Sequence, residues 1–249
     1  MLYNFIINAS IPLAVLIFIL LLFITAPYGR YKQRGWGVAI TAKLAWILME
    51  APSALIFAVL FLLGEVPKSW ALIIFFVMWQ SHYIHRAFIY PLMIADGRKV
   101  MPLAILIMGI TFNSGNAYIN SKYLYSISNG YPTSWLTSPQ MLIGLTCFIV
   151  GFVINRWADH VLRTLREPGE MGYKIPHGGL YRWISCPNYF GETIEWIGWA
   201  IATWSLPGLT FAVWTFANLA PRAHAHHKWY HKNFKNYPTQ RKALIPWVW

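Results

Sequence analysis

Charged residues are scarce in this chain, and acidic residues are the scarcest. Only 11% of the 249 residues are charged, with 8 acidic residues against 20 lysines and arginines. A soluble domain carries about 25% charged residues, so polar groups could not cover the surface of this protein. The first 29 residues contain no charge at all. This composition excludes an ordinary soluble domain and predicts that a lipid bilayer surrounds much of the chain.

Cysteine is also scarce. The two cysteines, Cys147 and Cys186, lie in or near apolar segments and indicate neither a disulfide scaffold nor a zinc site. The net charge of +12 comes from basic residues placed between apolar runs, which argues against a nucleic-acid partner. Internal repeats and disordered linkers are lacking as well, so we expect one domain over residues 1–249.

The sequence has no dinucleotide-binding fingerprint. Gly35-Trp36-Gly37 is a near match, but it follows a membrane span and no strand-helix-strand unit surrounds it. A nucleotide cofactor would therefore have to be held without a Rossmann domain. Arginine, asparagine, aspartate and tyrosine side chains on the inner side of the membrane could hold it.

Long apolar runs are what the sequence has in abundance. They cover residues 5–26, 44–64, 69–92, 100–121, 135–155 and 196–221. The first is long enough to span a bilayer and lacks the features of a cleaved signal peptide, so we interpret it as a retained helix. The last run is interrupted by Leu206-Pro207-Gly208. It gives six spans if it is one helix and seven if it is two, with the sixth beginning near Asn188.

The positions of the basic residues decide between six and seven spans. With seven spans and the N-terminus outside, 18 of the 20 lysines and arginines face the inside, and only Lys68 and Lys122 lie outside. The positive-inside rule favours this arrangement. We therefore predict an all-α integral membrane protein with seven transmembrane helices, an outside N-terminus and a cytosolic C-terminus. It would lie in the endoplasmic reticulum membrane of a eukaryote or the inner membrane of a bacterium.

The first candidate site consists of polar residues at membrane depth. Glu50 is the only charge in the run 44–64, and an intramembrane carboxyl is usually functional, although a glutamate facing the aqueous boundary is the alternative. Tyr83, Arg86 and Tyr90 share one face of the third helix at i, i+3 and i+7 spacing. An interfacial aromatic belt explains the tyrosines but explains Arg86 less well.

The second candidate site lies at the inner ends of three later helices, where polar residues recur on one face. They are Asn155, Asp159 and Arg166 on the fifth helix, Asn188, Glu192 and Glu195 on the sixth, and Arg222, His226 and Tyr230 on the last. The alternatives are helix ends exposed to solvent and acidic side chains placed favourably in the helix dipole. The helix dipole does not account for Glu195, which lies deeper than Glu192. The histidines of the last helix lack companion ligands at metal spacing, which favours hydrogen bonding over metal binding.

Four stretches of the sequence carry a family resemblance. They are EPGEMGYKIPHGGLYRWISCPNYFGETIEWIGWAIATWSLP (167–207), YPTQRKALIPWVW (237–249), HYIHRAFIYPL (82–92) and WILMEAPS (46–53). Through them the chain resembles the steroid 5α-reductases over nearly its whole length. The resemblance implies seven transmembrane helices, NADPH as cofactor, and reduction of the Δ4 double bond of a 3-oxo-steroid.

The resemblance also implies roles for individual residues. Glu50 and Tyr83 match the pair that contacts the steroid 3-keto oxygen, and we count Arg86 with them as substrate-binding. The loop PYGRYKQ contributes Arg30 and Lys32 to a phosphate-facing basic surface. The positions that match cofactor contacts are Asn155, Asp159, Arg166, Tyr173, Asn188, Glu192, Arg222, His226 and Tyr230.

The chemistry expected of these residues is conjugate reduction of an enone. A hydride must reach the β-carbon, which NADPH would supply, while the protein stabilises the growing negative charge on the keto oxygen. Glu50, as a protonated acid, and Tyr83 would donate hydrogen bonds to that oxygen.

The apolar substrate would enter from the bilayer, and we expect a monomer in contact with membrane lipids. The alternatives are a methyltransferase of the isoprenylcysteine type, another sterol or enone reductase, and a non-catalytic lipid binder.

Overall fold

The computed structural model describes residues 2–27, 29–31, 36–94, 99–167, 170 and 172–249, and these are mostly helical. The helices are α1 (Leu2–Phe23), α2 (Ala42–Leu63), α3 (Trp70–Ile84), α4 (Tyr90–Leu92), α5 (Leu103–Lys122), α6 (Pro139–Thr164), α7 (Pro187–Thr203) and α8 (Leu206–Asn233). π-Helical turns join α3 to α4 at His85–Ile89 and extend α5 at Tyr123–Ile127. Short 3-10 turns occupy Gly29–Tyr31, Thr133–Thr137 and Gly179–Arg182.

Each apolar run predicted as a span contains a helix. The last run is two helices, because α7 ends at Thr203 and α8 begins at Leu206, with Trp204 between them at a positive φ of 44°. α7 begins at Pro187, where the missing N–H of proline costs no helical hydrogen bond. Within the described residues, three helical stretches are long and apolar enough to cross a membrane: Tyr3–Phe23, Ala42–Leu63 and Pro139–Thr164. The seven crossings and the sides of the two termini stay predictions.

The described chain divides into two compact units. One comprises Met1–Ile7, Pro27–Leu142 and Thr203–Gly208, and the other comprises Asn8–Ala26, Ile143–Ala202 and Leu209–Trp249. Each unit therefore combines segments that are distant in the sequence. The prediction of a single domain concerns the whole chain and stays a prediction.

A small antiparallel sheet in the first unit was not predicted. Strand β1 (Ala39–Thr41) pairs with β2 (Val100–Pro102), with Ile40 opposite Met101. α2 and α5 begin directly after these strands, and the backbone N–H of Ala42 donates to the carbonyl of Lys99 at 2.8 Å. The sheet thus holds the first residues of two helices together.

α2 and α5 continue side by side in the same direction. Beyond the sheet, the Ser53 hydroxyl donates to the Asn113 carbonyl at 3.3 Å. Past the end of α2, the backbone N–H of Val66 donates to the Tyr125 carbonyl at 3.1 Å. Since the contacts advance along both chains together, the helices are parallel. Residues one turn apart on α5 therefore face successive turns of α2.

Aromatic rings fill the core of the first unit. The Phe57 ring stacks on Trp79, with the ring centroids 4.4 Å apart, and meets the edge of Tyr125 at 5.5 Å. The indole N–H of Trp79 donates to the Ser53 carbonyl at 3.1 Å. These contacts join α2, α3 and the end of α5 into one packed group.

Glycines bring α6 and α7 unusually close in the second unit. A Cβ atom added at Gly151 would lie 2.3 Å from the backbone nitrogen of Glu195, and one at Gly191 would lie 2.5 Å from that of Asn155. Backbones this close are typical of small-residue packing between membrane helices. The packing sets Asn155 directly against the first turns of α7.

Candidate functional site

Glu50 is the centre of a buried polar group in the first unit. It lies about two turns into α2 and its residue is only 8% exposed. The side-chain amide of Asn113 donates to Glu50 Oε2 at 3.1 Å and to the Met49 carbonyl at 2.8 Å. Arg86 Nε lies 3.6 Å from Glu50 Oε1, an ion-pair contact longer than an ordinary hydrogen bond. A glutamate buried in this way does not face the aqueous boundary.

Aromatic rings hold the Arg86 guanidinium. Its central carbon lies 4.5 Å from the centre of the Trp46 ring and 5.3 Å from that of Tyr90. Such cation–π contacts stabilise a cation that is largely removed from water. Arg86 belongs to the π-helical turn, whose additional residue changes the spacing on which the predicted common face depended. The structure nevertheless brings Arg86 and Tyr90 together.

Tyr83 lies one helical turn from Arg86 and is buried. Its ring packs against Trp79, with a centroid distance of 4.9 Å, and against His82 at 5.0 Å. The first unit therefore contains the predicted substrate residues Glu50, Tyr83 and Arg86. Sequence reasoning missed Asn113, although an asparagine in an apolar run could have indicated it.

A second polar group joins α6 to the start of α7. The buried amide of Asn155 donates to the Asn188 carbonyl at 2.9 Å and to Glu192 Oε2 at 3.3 Å. The Asn188 amide donates to Asp159 Oδ1 at 3.1 Å, and Arg156 donates to the side-chain oxygen of Asn155. The structure thus brings together four residues predicted to contact a cofactor, and it adds Arg156. Glu195 is fully buried one turn deeper.

Tyr189 links α7 to α8. Its hydroxyl accepts a hydrogen bond from Arg222 Nε at 3.0 Å and lies 3.3 Å from His226 Nε2. The rings of Tyr189 and His226 also stack, with centroids 5.8 Å apart. Arg222 and His226 were predicted, whereas Tyr189 was overlooked even though it lies inside the motif SCPNYFGE.

The other predicted cofactor residues lie further out. Arg166 is half-buried, donates to the Gly172 carbonyl at 3.0 Å and lies 5.9 Å from the centre of the Tyr173 ring. Tyr173 packs on Trp229 at 4.9 Å. Tyr230 stacks on the ring of Tyr237.

Arg30 lies in the 3-10 turn Gly29–Tyr31 of the first unit, and Lys32 lies outside the described residues.

The histidine run of α8 makes hydrogen bonds. His227 Nδ1 lies 2.7 Å from the hydroxyl of Ser185, which is also 2.7 Å from that of Tyr237. Burial, followed by the nearby His231, lowers the pKa of His227 to about 4, so this ring is neutral at physiological pH. Among the described residues, no three histidine, cysteine, aspartate or glutamate side chains are placed to hold a metal.

The second unit has the donors and acceptors that a dinucleotide needs. Carboxylates such as Asp159 and Glu192 suit the hydroxyls of a ribose. The guanidinium of Arg222 suits a phosphate group, and the amides of Asn155 and Asn188 suit either. All of these groups lie on α6, α7 and α8.

Known proteins are similar to the chain along nearly its whole length. A sequence profile of the family described as 3-oxo-5-alpha-steroid 4-dehydrogenase matches residues 99–249. The 3-oxo-5-alpha-steroid 4-dehydrogenase 1 of Bos taurus is 42% identical over 243 residues, which cover 95% of this chain and 93% of the relative. The Homo sapiens protein of the same name is 41% identical over 223 residues, 89% and 85% of the two chains. The steroid 5-alpha-reductase DET2 of Arabidopsis thaliana is 39% identical over 237 residues, covering 93% and 90%.

Proposed function

Because the chain belongs to the 3-oxo-5-alpha-steroid 4-dehydrogenase family, we propose that it reduces the Δ4 double bond of a 3-oxo-Δ4-steroid with NADPH. Family membership makes the protein an oxidoreductase of steroid metabolism and implies a nicotinamide cofactor. The observation that carries the finer proposal is the buried carboxyl of Glu50, whose contacts hold it inside an apolar unit. A carboxyl is costly there, and a role in chemistry explains its presence.

In this proposal Glu50 and Tyr83 hold the steroid keto oxygen. A bound nicotinamide would supply a hydride to the β-carbon of the enone, negative charge would grow on that oxygen, and the α-carbon would then take up a proton from water. The proposal requires the apolar surroundings to keep Glu50 protonated against the charge of the nearby Arg86, so that its carboxyl and the Tyr83 hydroxyl each donate a hydrogen bond to the oxygen. One donor of this kind is typically worth about 3 kcal/mol in the transition state. Arg86 and Asn113 fix the position of the carboxyl, so little rearrangement is needed when the substrate binds.

The second unit would bind the cofactor. Asp159 and Glu192 accept hydrogen bonds from ribose hydroxyls, while Arg222 pairs with a phosphate. Arg166 adds positive charge of the kind that favours NADPH, because NADH lacks the 2′-phosphate. The resemblance gives Arg30 and Lys32 a phosphate-facing role as well. The amide network around Asn155 keeps the carboxylates oriented before the cofactor arrives.

We further propose seven membrane crossings with the N-terminus outside and the C-terminus in the cytosol. The charge distribution supports this topology, and the parallel α2 and α5 are what second and fourth crossings require. Labelling of single cysteines placed in the loops would show both termini on the same side if the topology is wrong.

The membrane would be that of the endoplasmic reticulum in a eukaryote or the inner membrane in a bacterium. The steroid would enter from the bilayer into a monomer.

One assay tests the reaction directly. Purified protein in lipid nanodiscs is incubated with NADPH and either testosterone or progesterone, and the products are separated by chromatography. We expect 5α-reduced steroid in an amount equal to the NADPH consumed. Product that forms equally well with NADH would overturn the cofactor choice. No reduction of either steroid would overturn the substrate class.

A further inference from the structure

Three asparagines line the buried face of α5. Asn113, Asn116 and Asn120 follow i, i+3 and i+7 spacing, and all are buried, with Asn116 only 5% exposed. An amide removed from water is costly unless its polar atoms are hydrogen-bonded. The hydrogen-bond partners of these three amides therefore indicate whether the protein itself satisfies each side chain.

The amide hydrogens of the outer two asparagines have partners. Asn113 donates to Met49 and Glu50, as described above. Asn120 donates to the carbonyl of Asn116 at 3.1 Å and to its side-chain oxygen at 3.0 Å. The second bond fixes the orientation of the Asn116 amide, because its oxygen must face Asn120. The Asn116 nitrogen is thereby directed away from Asn120.

The Asn116 nitrogen is a buried donor with no hydrogen-bond partner in the described part of the chain. It lies about 4.5 Å further along α5 than Asn113, whose amide contacts Glu50. The described protein provides no acceptor for this oriented donor, so an oxygen atom of a ligand or of a water molecule must complete it.

We propose that Asn116 is a substrate-binding residue whose amide N–H donates to the enone oxygen of the steroid. This inference rests on the proposed function, which places that oxygen beside Glu50 and Tyr83. Asn116 then approaches the oxygen from α5, while Glu50 approaches it from α2 and Tyr83 from α3. Three helices of one unit would each contribute one donor to a single atom.

A ligand-and-variant cycle tests this contact. Dissociation constants of a 3-oxo-Δ4-steroid and of its 3-deoxy analogue are measured on NADP+-saturated protein in nanodiscs. We expect Asn116→Ala to weaken binding of the 3-oxo steroid about tenfold, the net value of one good hydrogen bond. Binding of the 3-deoxy steroid should stay within about twofold, since it has no oxygen to accept the bond. Ser121→Ala, which removes a buried hydroxyl bonded within α5, should change neither.

Two results would overturn the contact. Equal weakening of both steroids would make Asn116 a packing residue, and weakening of neither would mean that only a buried water completes the amide. Asn116→Leu keeps the approximate size and shape of the side chain, removes the donor and introduces no ionisable group. It replaces the alanine variant in the cycle, with the same expectations, if that variant does not fold.

The same cycle on Glu50→Ala and Tyr83→Phe separates this inference from the proposed function. If Glu50→Ala and Tyr83→Phe weaken binding of the 3-oxo steroid but not of the 3-deoxy steroid, and Asn116→Ala does not, the keto site is supported and the role of Asn116 is wrong. If Asn116→Ala alone discriminates, the contact is real and the proposed pair is wrong.

Discussion

The polar groups of the two units are built on different principles. In the first unit a single carboxyl, Glu50, is surrounded by apolar and aromatic side chains, with one amide and one guanidinium close to it. In the second unit Asn155, Asp159, Asn188 and Glu192 bond to one another in a continuous network. A buried carboxyl in a low-dielectric setting is suited to act on a developing charge. A network is suited to hold a large polar ligand in one orientation. Substitutions in the first unit should therefore affect the chemical step, and those in the second should affect cofactor binding.

The largest effect should come from the buried carboxyl of Glu50. We expect Glu50→Ala to lower kcat by about 100-fold or more, the usual cost of removing one such donor. Glu50→Gln keeps a donor of similar shape and should retain more activity than Glu50→Ala if Glu50 acts as a protonated acid. If Glu50 must exchange a proton, the two variants should be equally poor. Glu65→Ala, which removes an exposed acid, is the control for steady-state kinetics.

Arg222→Ala should have the next largest effect, and it should change the NADPH requirement instead of kcat. Loss of a charge-assisted hydrogen bond to a phosphate should raise the NADPH concentration for half-maximal rate by about 10- to 100-fold. kcat at saturating NADPH should change little, and Arg166→Ala should act in the same direction. Lys228→Ala removes an exposed cation from the same helix and serves as the matched control. A fall in kcat with an unchanged NADPH requirement would contradict the division of labour between the units.

The close packing of α6 and α7 can be broken by one methyl group. Gly191→Ala places a Cβ 2.5 Å from the backbone nitrogen of Asn155, so the helices must separate. We expect an overpacking cost of about 1–3 kcal/mol, seen as a lower apparent melting temperature and weaker NADPH binding. Gly115→Ala, in α5, has nothing within 4 Å of its new Cβ and should not lower stability. Equal melting of both variants would show that the α6–α7 contact is not tight.

The smallest effect should be a pH dependence centred on His227. Its folded-state pKa of about 4 lies below the ordinary value of 6.5, chiefly because of burial. The unfolded chain therefore binds a proton more readily, so stability is complete above pH 6.5 and is lost as pH falls toward 4. The apparent melting temperature should drop by a few degrees over this range, and His227→Asn should reduce the drop. The exposed His160→Asn is the control, and it should leave the pH profile unchanged.

The sequence was informative about structural features that one continuous segment of the chain determines. The division of the last apolar run into two helices and a helix start near Asn188 follow from local chemistry, and both were predicted. The polar residues of α6 and α7 recur at helical spacing, so their common face could be seen as well. The cofactor contacts predicted for them are still untested, because their geometry shows proximity and not a bound ligand.

What the sequence could not reveal depends on contacts between distant segments. Strands of three residues have no detectable periodicity, so β1 and β2 escaped notice. Asn113 contacts Glu50 across 63 positions, and nothing near either residue specifies that pairing. The π-helical turn at His85–Ile89 changes the spacing of Tyr83, Arg86 and Tyr90, and no rule of composition predicts such a turn here.

The β1–β2 sheet has a consequence for the order in which the protein is assembled. α2 leaves the ribosome early, yet the strand that fixes its first residues, β2, lies beyond α3 and α4 in the chain. Translation proceeds from the N-terminus, so α2 must wait until β2 and then α5 have been synthesised. A hairpin with α3 alone supplies only part of the final surroundings of α2. Glu50 acquires its Asn113 partner only at that later step, whereas Arg86 is synthesised earlier, in the π-helical turn after α3.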